Sequence, residues 1–320
     1  MPPVLRQPVL WWVLGPSVVV LVVVAVILAT RWGAILASQP AYLTTLVIVG
    51  VLGLLGAAHA RWSVRVSARP LRGRAWVVTR RVLAAVGTLV LVVVLVLLRP
   101  LPATPNAVAA MAGTSTVAVI DSSSRIELVP RVRRARTGLV FFPGALVDPR
   151  AYVPLLERIA ADGYTVDIVK PPFGIAFLAA GAPTGIIASH PSITRWVVGG
   201  HSLGGVAASS YAGADHHGVD GLVLWASYPN GSLAGNTSLL VTSVSASRDG
   251  LATPAKIEAT KGRLPPDTRF VVVEGAVHSD FGDYGSQRGD GTATIPKLEA
   301  QRQIEQATVD LLLRVDRPPA

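Results

Sequence analysis

The first hundred residues contain three long apolar stretches. They cover residues 9–29, 42–60 and 82–98 and are 21, 19 and 17 residues long. About 20 helical residues are needed to cross the hydrocarbon core of a bilayer. A surface helix of a soluble protein keeps a polar face, whereas the segment 18–24 is apolar on every side. The pattern therefore predicts three transmembrane helices, which together form a membrane domain over residues 1–99.

After residue 114 the pattern changes to short apolar runs separated by polar turns and amphipathic segments. Runs of this length, bounded by turn residues, are typical of buried strands. The expected strands cover residues 117–120, 126–129, 138–142, 164–169, 196–198, 221–225, 239–244 and 270–273. The first two should form a hairpin. Because the later runs are apolar throughout and alternate with helical segments, we predict a mostly parallel sheet covered by helices on both faces, an α/β fold.

Two helices of this second part have clear signals. Asp148-Pro149 is typical of a helix start, with a capping carboxylate and a proline at the first helical position. The last helix places Ile304, Thr308, Leu311 and Leu312 on one face. Residues 100–114, rich in Pro, Ala and Gly, are expected to be a flexible linker, so the α/β domain should cover residues 115–320.

The charge distribution supports the division into a membrane domain and an α/β domain. Residues 1–100 hold ten Arg and no Asp or Glu, which equals the net charge of +10 of the whole chain. The other 19 basic residues are balanced by all 19 acidic ones (29 − 10 = 19), so the second part is neutral. The high pI thus comes from arginines beside membrane segments. We expect no nucleic-acid partner, because the soluble part has no basic face and no recognisable binding module.

Arginine asymmetry also predicts the orientation. Residues 61–81 contain seven arginines, whereas Arg31 alone lies between the first two apolar stretches. The positive-inside rule places the arginine-rich loop in the cytoplasm and hence the α/β domain on the extracytoplasmic side.

The strand at 196–198 leads into Gly200-His201-Ser202-Leu203-Gly204, followed by small residues suited to a helix. This G-x-S-x-G pattern between a strand and a helix is typical of a nucleophile elbow. Glycines two positions either side of the serine are needed because a Cβ there would collide with the neighbouring strand and helix. Ser202 is therefore the candidate nucleophile, the alternative being a serine in an ordinary glycine-rich turn.

A serine hydroxyl needs a base and an acid to become a nucleophile. His278 is the only one of the six histidines just beyond the last expected strand, and His201 points away on the tight turn. Asp249, after the strand 239–244, is the candidate acid, although a helix or turn cap is its alternative role. Asp280 and Asp283 are too close to His278 in sequence to be first choices, though they could tune the site.

The oxyanion hole and the pocket of the site are expected at the same rim of the sheet, at the carboxyl ends of the strands. The backbone N–H groups of Leu203 and of Ala145, in the turn Pro143-Gly144-Ala145, are candidates for an oxyanion hole. Phe173, Phe177 and Tyr284 are expected as apolar pocket walls. Too few residues separate the strands 221–225 and 239–244 for a helical lid, so the site should be open or covered only by residues 171–190.

Together these features resemble the α/β-hydrolase superfamily, in particular the small, lidless, dienelactone-hydrolase-like serine hydrolases of bacteria. The resemblance covers residues 115–315. It rests on the segments 142–145, 200–205, 248–250 and 278–285. The chain order Ser202, Asp249, His278 is that of this superfamily. Two features depart from it: Pro143-Gly144 replaces the usual His-Gly motif, and a serine stands where dienelactone hydrolases use cysteine, which favours an ordinary ester as substrate.

The sequence thus predicts a membrane-anchored serine hydrolase that cleaves small carboxylic esters through an acyl-Ser202 intermediate. The resemblance implies no metal and no organic cofactor, and the expected partners are an acyl ester and the lipid bilayer. Two alternatives stay open at this point: acyl transfer to a cell-envelope acceptor, and a membrane sensor or scaffold whose hydrolase fold only binds.

Overall fold

The computed structural model describes residues 7–66, 74–132, 136–214 and 218–317. Two compact units make up the chain: Met1–Leu36 with Pro40–Arg99, and Ala37–Gln39 with Pro100–Ala320. Part of the arginine-rich loop (67–73) and His216 and His217 lie outside the described residues.

The first unit consists of three helices: α1 (Gln7–Ala37), α2 (Ala41–Val66) and α3 (Arg74–Leu97). Their segments Leu14–Ala37, Ala41–Trp62 and Val78–Leu97 are apolar and long enough to cross a membrane, as predicted. The first helix is longer than expected, because nothing after residue 29 breaks it until Pro40 prevents continuation. Arg31 therefore lies within α1, and the connection to α2 shortens to residues 38–40.

Close packing of α1 and α2 depends on glycines. A Cβ built on Gly56 would lie 2.7 Å from Ser17 Oγ, and one on Gly53 would lie 3.1 Å from the side chain of Leu21. Small residues let helix backbones approach closely where lipid supplies no hydrophobic drive for association. At the opposite end of α2, the Tyr42 hydroxyl donates to the Leu95 carbonyl of α3 at 2.9 Å.

The second unit contains one eight-stranded sheet with the order β1-β2-β4-β3-β5-β6-β7-β8. Its strands are β1 (Val117–Asp121), β2 (Arg125–Pro130), β3 (Thr137–Phe142), β4 (Thr165–Val169), β5 (Arg195–His201), β6 (Gly221–Trp225), β7 (Leu240–Ala246) and β8 (Arg269–Val273). The first two form the predicted antiparallel hairpin, and β2 is antiparallel to β4. All pairs from β4 through β8 are parallel. The α/β-hydrolase architecture predicted from the sequence is thus confirmed.

Helices cover both faces of this sheet. They are α4 (Pro105–Ala109), α5 (Val153–Ala161), α6 (Ala182–Ser189), α7 (Leu203–Gly213), α8 (Pro254–Glu258) and α9 (Lys297–Asp316). Short 3₁₀ turns occur at Ala110–Ala112, Pro149–Tyr152, Pro172–Gly174, Ala176–Ala179, Lys261–Arg263 and His278–Phe281. One buried apolar cluster joins the sheet to α5 and α9, and a second joins the opposite face to α6 and α7. The predicted face of the last helix is buried in the first cluster.

Residues 101–112 differ from the flexible linker expected there. The Leu101 N–H donates to the Leu146 carbonyl at 2.7 Å, and the Leu101 carbonyl accepts from the Asp148 N–H. Thr104 caps α4, and the side chain of Ala107 is fully buried. Because its backbone groups are paired with the domain, this segment is a fixed part of the α/β unit.

Candidate active site

Four loops of interest lie at the carboxyl ends of parallel strands. The loops after β3, β5, β7 and β8 carry Ala145, Ser202, Asp249 and His278, in that order. Ligand sites of open parallel sheets form at this edge. The topology thus brings the predicted residues to one rim.

The backbone of Ser202 has the strained conformation of a nucleophile elbow. Its φ of 53° and ψ of −124° are unusual for a residue with a side chain. A Cβ on Gly200 would lie 2.4 Å from the Gly204 carbonyl carbon, and one on Gly204 would lie 2.2 Å from the Phe142 oxygen. Both glycines are therefore sterically required, which matches the reason given from the sequence.

His278 and Asp249 form a buried pair. The His278 Nδ1 lies 2.8 Å from Asp249 Oδ2, and both side chains are almost completely buried. The other carboxylate oxygen of Asp249 accepts from the N–H groups of Leu251 at 2.7 Å and Ala252 at 2.8 Å. These two bonds fix the carboxylate, so its Oδ2 can accept from Nδ1–H of the imidazole and leave Nε2 unprotonated.

The imidazole of His278 lies beside the elbow. Its ring centroid is 4.5 Å from that of His201, the residue before Ser202. Within the described residues, no hydrogen bond joins the Ser202 hydroxyl to His278. Bonds of this kind are often long in free enzymes and shorten when substrate binds.

Two backbone N–H groups are available near the elbow. Neither the Ala145 N–H nor the Leu203 N–H has an acceptor in the part of the chain that the structure describes. The close approach of Gly204 to the Phe142 and Pro143 carbonyls holds the end of β3 against the start of α7. This arrangement can offer donors to an oxyanion formed at Ser202.

His201 connects the turn after β3 to the start of α7 through Tyr152. The Tyr152 hydroxyl accepts from the Gly144 N–H at 2.9 Å and lies within hydrogen-bond distance of His201 Nδ1, at 2.8 Å. The His201 ring also stacks on Phe281, with a centroid distance of 5.6 Å. Burial, followed by the nearby His278, lowers the pKa of His201 well below its usual value. Burial thus favours the neutral form of the His201 imidazole.

Two residues that were not predicted from the sequence form hydrogen bonds between the loops of this rim. Ser227, after β6, donates its hydroxyl to the Ser202 carbonyl at 2.7 Å. Asp290 accepts from the His278 N–H at 3.0 Å, the Ser279 N–H at 2.8 Å and the Gly250 N–H at 3.4 Å. Burial alone would raise the pKa of Asp290, but the N–H groups of Ser279 and His278 outweigh it and lower the pKa. Asp290 thus connects the loop of Asp249 to the loop of His278.

A cavity of about 160 Å³ opens beside Ser202. Its lining is mixed polar and apolar and comes from the elbow helix and from the loops after β6 and β7: Ser202, Leu203, Val206, Ala226, Ser227, Tyr228, Leu251 and Ala252. The predicted wall residues Phe173, Phe177 and Tyr284 are not among them. Phe177 is exposed, Phe173 lies in a 3₁₀ turn, and Tyr284 is buried with its hydroxyl 3.1 Å from Gln287 Oε1.

The two carboxylates that follow soon after His278 in sequence have other partners. Asp280 accepts from the Val277 N–H at 2.9 Å, which caps its own turn. Asp283 lies 3.3 Å from Gln301 Nε2 of α9. Asp220, which precedes β6, accepts a hydrogen bond from the Trp196 N–H at the amino end of β5. It therefore lies at the opposite edge of the sheet from His278.

A family model described as Alpha/beta hydrolase family matches residues 138–303. No curated protein sequence matches the chain significantly. Carboxyl esterase 2 of the fungus Tuber melanosporum is similar over 64% of this chain and 88% of its own, with 14% identity and a TM-score of 0.47. The monoacylglycerol lipase of Paleococcus ferrophilus is similar over 58% of this chain and 98% of its own, with 15% identity and a TM-score of 0.46. Identities this low say nothing about a shared substrate.

Proposed function

Because the chain belongs to the alpha/beta hydrolase family, we propose that it is a membrane-anchored serine hydrolase that cleaves carboxylic esters. One observation carries the proposal: the strained Ser202 elbow and the buried His278–Asp249 pair share one rim of the sheet. Strain of this kind costs about 1–3 kcal/mol and persists where the surrounding structure enforces it, as at active sites.

In the proposed reaction, Ser202 Oγ attacks the ester carbonyl and His278 Nε2 takes its proton. Asp249 stabilises the imidazolium through the 2.8 Å contact at Nδ1. The Ala145 and Leu203 N–H groups bind the oxygen that becomes negative. His278 then protonates the leaving alcohol, which leaves an acyl group on Ser202. Water activated by the same imidazole releases the acid and restores the serine.

The three apolar helices anchor this domain in a bilayer, and we propose that the active site faces the extracytoplasmic side. The support is the excess of arginine in residues 61–81 over the connection between α1 and α2.

The serine mechanism is tested with the full chain in detergent micelles. Ser202→Ala should abolish hydrolysis of p-nitrophenyl esters and covalent labelling by a fluorophosphonate probe, because both need the hydroxyl. Ser210→Ala is the matched control, since Ser210 lies on the same helix, where its hydroxyl donates to the Val206 carbonyl and accepts from the Asn230 side chain. Labelling that persists in Ser202→Ala would disprove the assignment.

A further inference from the structure

A second group of ionisable side chains lies at the sheet edge formed by β2 and β4. Glu127, Asp167 and His190 each offer one ligating atom, and these atoms all lie within 4.8 Å of one another. Glu127 and Asp167 are directly opposite each other on the two strands, so their side chains share one face. His190 follows α6 and packs against Trp196, with a ring-centroid distance of 5.8 Å.

Two like charges opposite each other on a sheet are destabilising. Asp167 is fully buried, and neither of its carboxylate oxygens accepts a hydrogen bond within the described residues. The buried Nε2 of His190 likewise has no hydrogen-bond partner there. A buried polar group without a partner costs about 1–3 kcal/mol, and more when it is charged. These three atoms lie in one cluster, where they face Arg125 or one another at ion-pair distance without hydrogen-bond geometry.

Arg125 neutralises only part of this charge. Its Nε lies 2.9 Å from Asp167 Oδ1, and its Nη2 lies 3.7 Å from Glu127 Oε2. Two carboxylates and one guanidinium leave a formal charge of −1. The arginine contacts one oxygen of each carboxylate, and the other two oxygens, Asp167 Oδ2 and Glu127 Oε1, face His190.

The spacing of the atoms facing His190 fits a small cation. His190 Nε2 is 3.2 Å from Asp167 Oδ2 and 3.8 Å from Glu127 Oε1. Bonds of about 2.0 Å in tetrahedral geometry place ligand atoms about 3.3 Å apart. One imidazole nitrogen with two carboxylate oxygens is a donor set that suits Zn²⁺.

We propose that Glu127, Asp167 and His190 form a structural site for a divalent transition metal, with Zn²⁺ as the best match. Arg125 orients the two carboxylates from their outer oxygens. The metal links His190, the last residue of the segment 171–190, to strands β2 and β4. The other end of that segment is already held, because the Gly174 carbonyl accepts from the Leu146 N–H next to the candidate oxyanion turn. This site is independent of the ester chemistry proposed for Ser202.

The test uses the full chain in detergent, stripped of metal with a chelator and titrated with Zn²⁺ against a chromophoric competitor. We expect one equivalent to bind and the melting temperature to rise. His190→Gln and Asp167→Asn should each weaken binding by at least about 100-fold, since loss of an outer-shell partner alone costs 10–100-fold. Co²⁺ should give the visible absorption of a tetrahedral site in the wild type but not in His190→Gln or Asp167→Asn.

His278→Gln is the matched control, because it removes the histidine of the catalytic pair and leaves the β2–β4 cluster intact. It should bind Zn²⁺ as the wild type does. Glu127 is only partly buried, so Glu127→Gln tests the same site should Asp167→Asn fail to fold, as judged by circular dichroism. The proposal is overturned by absence of stoichiometric binding, by unchanged binding in folded His190→Gln, or by loss of binding in His278→Gln.

Discussion

The two oxygens of the Asp249 carboxylate have separate tasks. Oδ1 accepts two backbone N–H groups, whereas Oδ2 faces His278 Nδ1. In Asp249→Asn the amide oxygen would keep the two backbone bonds, so its NH₂ group would face the imidazole. Nδ1 would then become an acceptor and Nε2 would carry the proton. We expect kcat for a short p-nitrophenyl ester to fall by about 10⁴-fold with little change in stability.

Asp310→Asn is the control for this substitution, because Asp310 lies on the surface of α9 and pairs with Arg269. Its kcat should equal that of the wild type. A fall of less than tenfold in Asp249→Asn would contradict the role assigned to Asp249.

Asp290 is expected to act through the position of His278. In Asp290→Asn an NH₂ group replaces one of the two acceptor oxygens. At least one backbone N–H, that of Ser279 or that of His278, then faces this NH₂ group instead of an acceptor. An unsatisfied group of this kind costs about 1–3 kcal/mol. We expect a lower melting temperature and a lower kcat with KM unchanged, measured on the same preparations. Unchanged kcat and stability would show that Asp290 does not position the histidine.

The pH dependence of this stabilisation has a definite sign. The pKa of Asp290 is lowered in the folded chain, so its contribution is present above the unfolded-state pKa and is lost as pH falls through the folded-state pKa. The difference in melting temperature between wild type and Asp290→Asn should therefore be largest near neutral pH and shrink in acid. A difference that grew on acidification would contradict this cause.

At the scale of whole elements, the sheet was predictable because each strand is a local apolar run. The elbow was predictable for a similar reason, since Gly200, Ser202 and Gly204 are neighbours in sequence. Contacts between distant segments have no such signal. Ser227 binds the elbow from 25 residues away, and Asp290 reaches His278 across 12.

The lack of a local signal for such contacts also explains two other differences between the prediction and the structure. Residues 100–114 have a linker composition, yet backbone hydrogen bonds to residues 146 and 148 hold the segment on the domain. Aromatic residues in rim loops are expected to line a pocket, but a position in such a loop does not determine where the side chain lies. The actual lining comes from small and aliphatic side chains and from Tyr228, all on α7, at its start or in the loops after β6 and β7.

The cavity beside Ser202 gives a prediction about the acyl group, which rests on the proposed function. Its volume of about 160 Å³ is close to that of an engineered cavity that binds benzene, so a chain of about six carbons should fit. Val206 lines this cavity from α7. Val206→Phe should reduce kcat/KM for p-nitrophenyl hexanoate about tenfold or more while affecting the acetate much less, since pocket contacts discriminate by about 1–3 kcal/mol per methylene.

Val206→Ala is the matched variant for this test. It should shift the preference toward longer chains, measured as the ratio of kcat/KM for octanoate to that for acetate. Equal losses for acetate and hexanoate in Val206→Phe would place the acyl chain outside this cavity.

At the scale of the whole molecule, the arginines and the helix ends predict one orientation. With the first residues in the cytoplasm, Arg31 near the end of α1 and Arg99 after α3 lie toward the outer side. Seven arginines between residues 61 and 81 lie around the end of α2 and the start of α3, on the inner side. The extension of α1 to Ala37 keeps this contrast, because it moves Arg31 into the helix without adding an inner charge.

The orientation predicts which fusions to the full chain are active. Alkaline phosphatase, which folds to an active form only outside the cytoplasm, should be active when attached after residue 320 and inactive when attached within residues 67–73. Green fluorescent protein, exported unfolded, should show the opposite pattern. Neutralising the inner arginines to glutamine should weaken or reverse both patterns, because the bias of positive charge sets the topology. Phosphatase activity at residues 67–73 with none after residue 320 would place the Ser202 site in the cytoplasm.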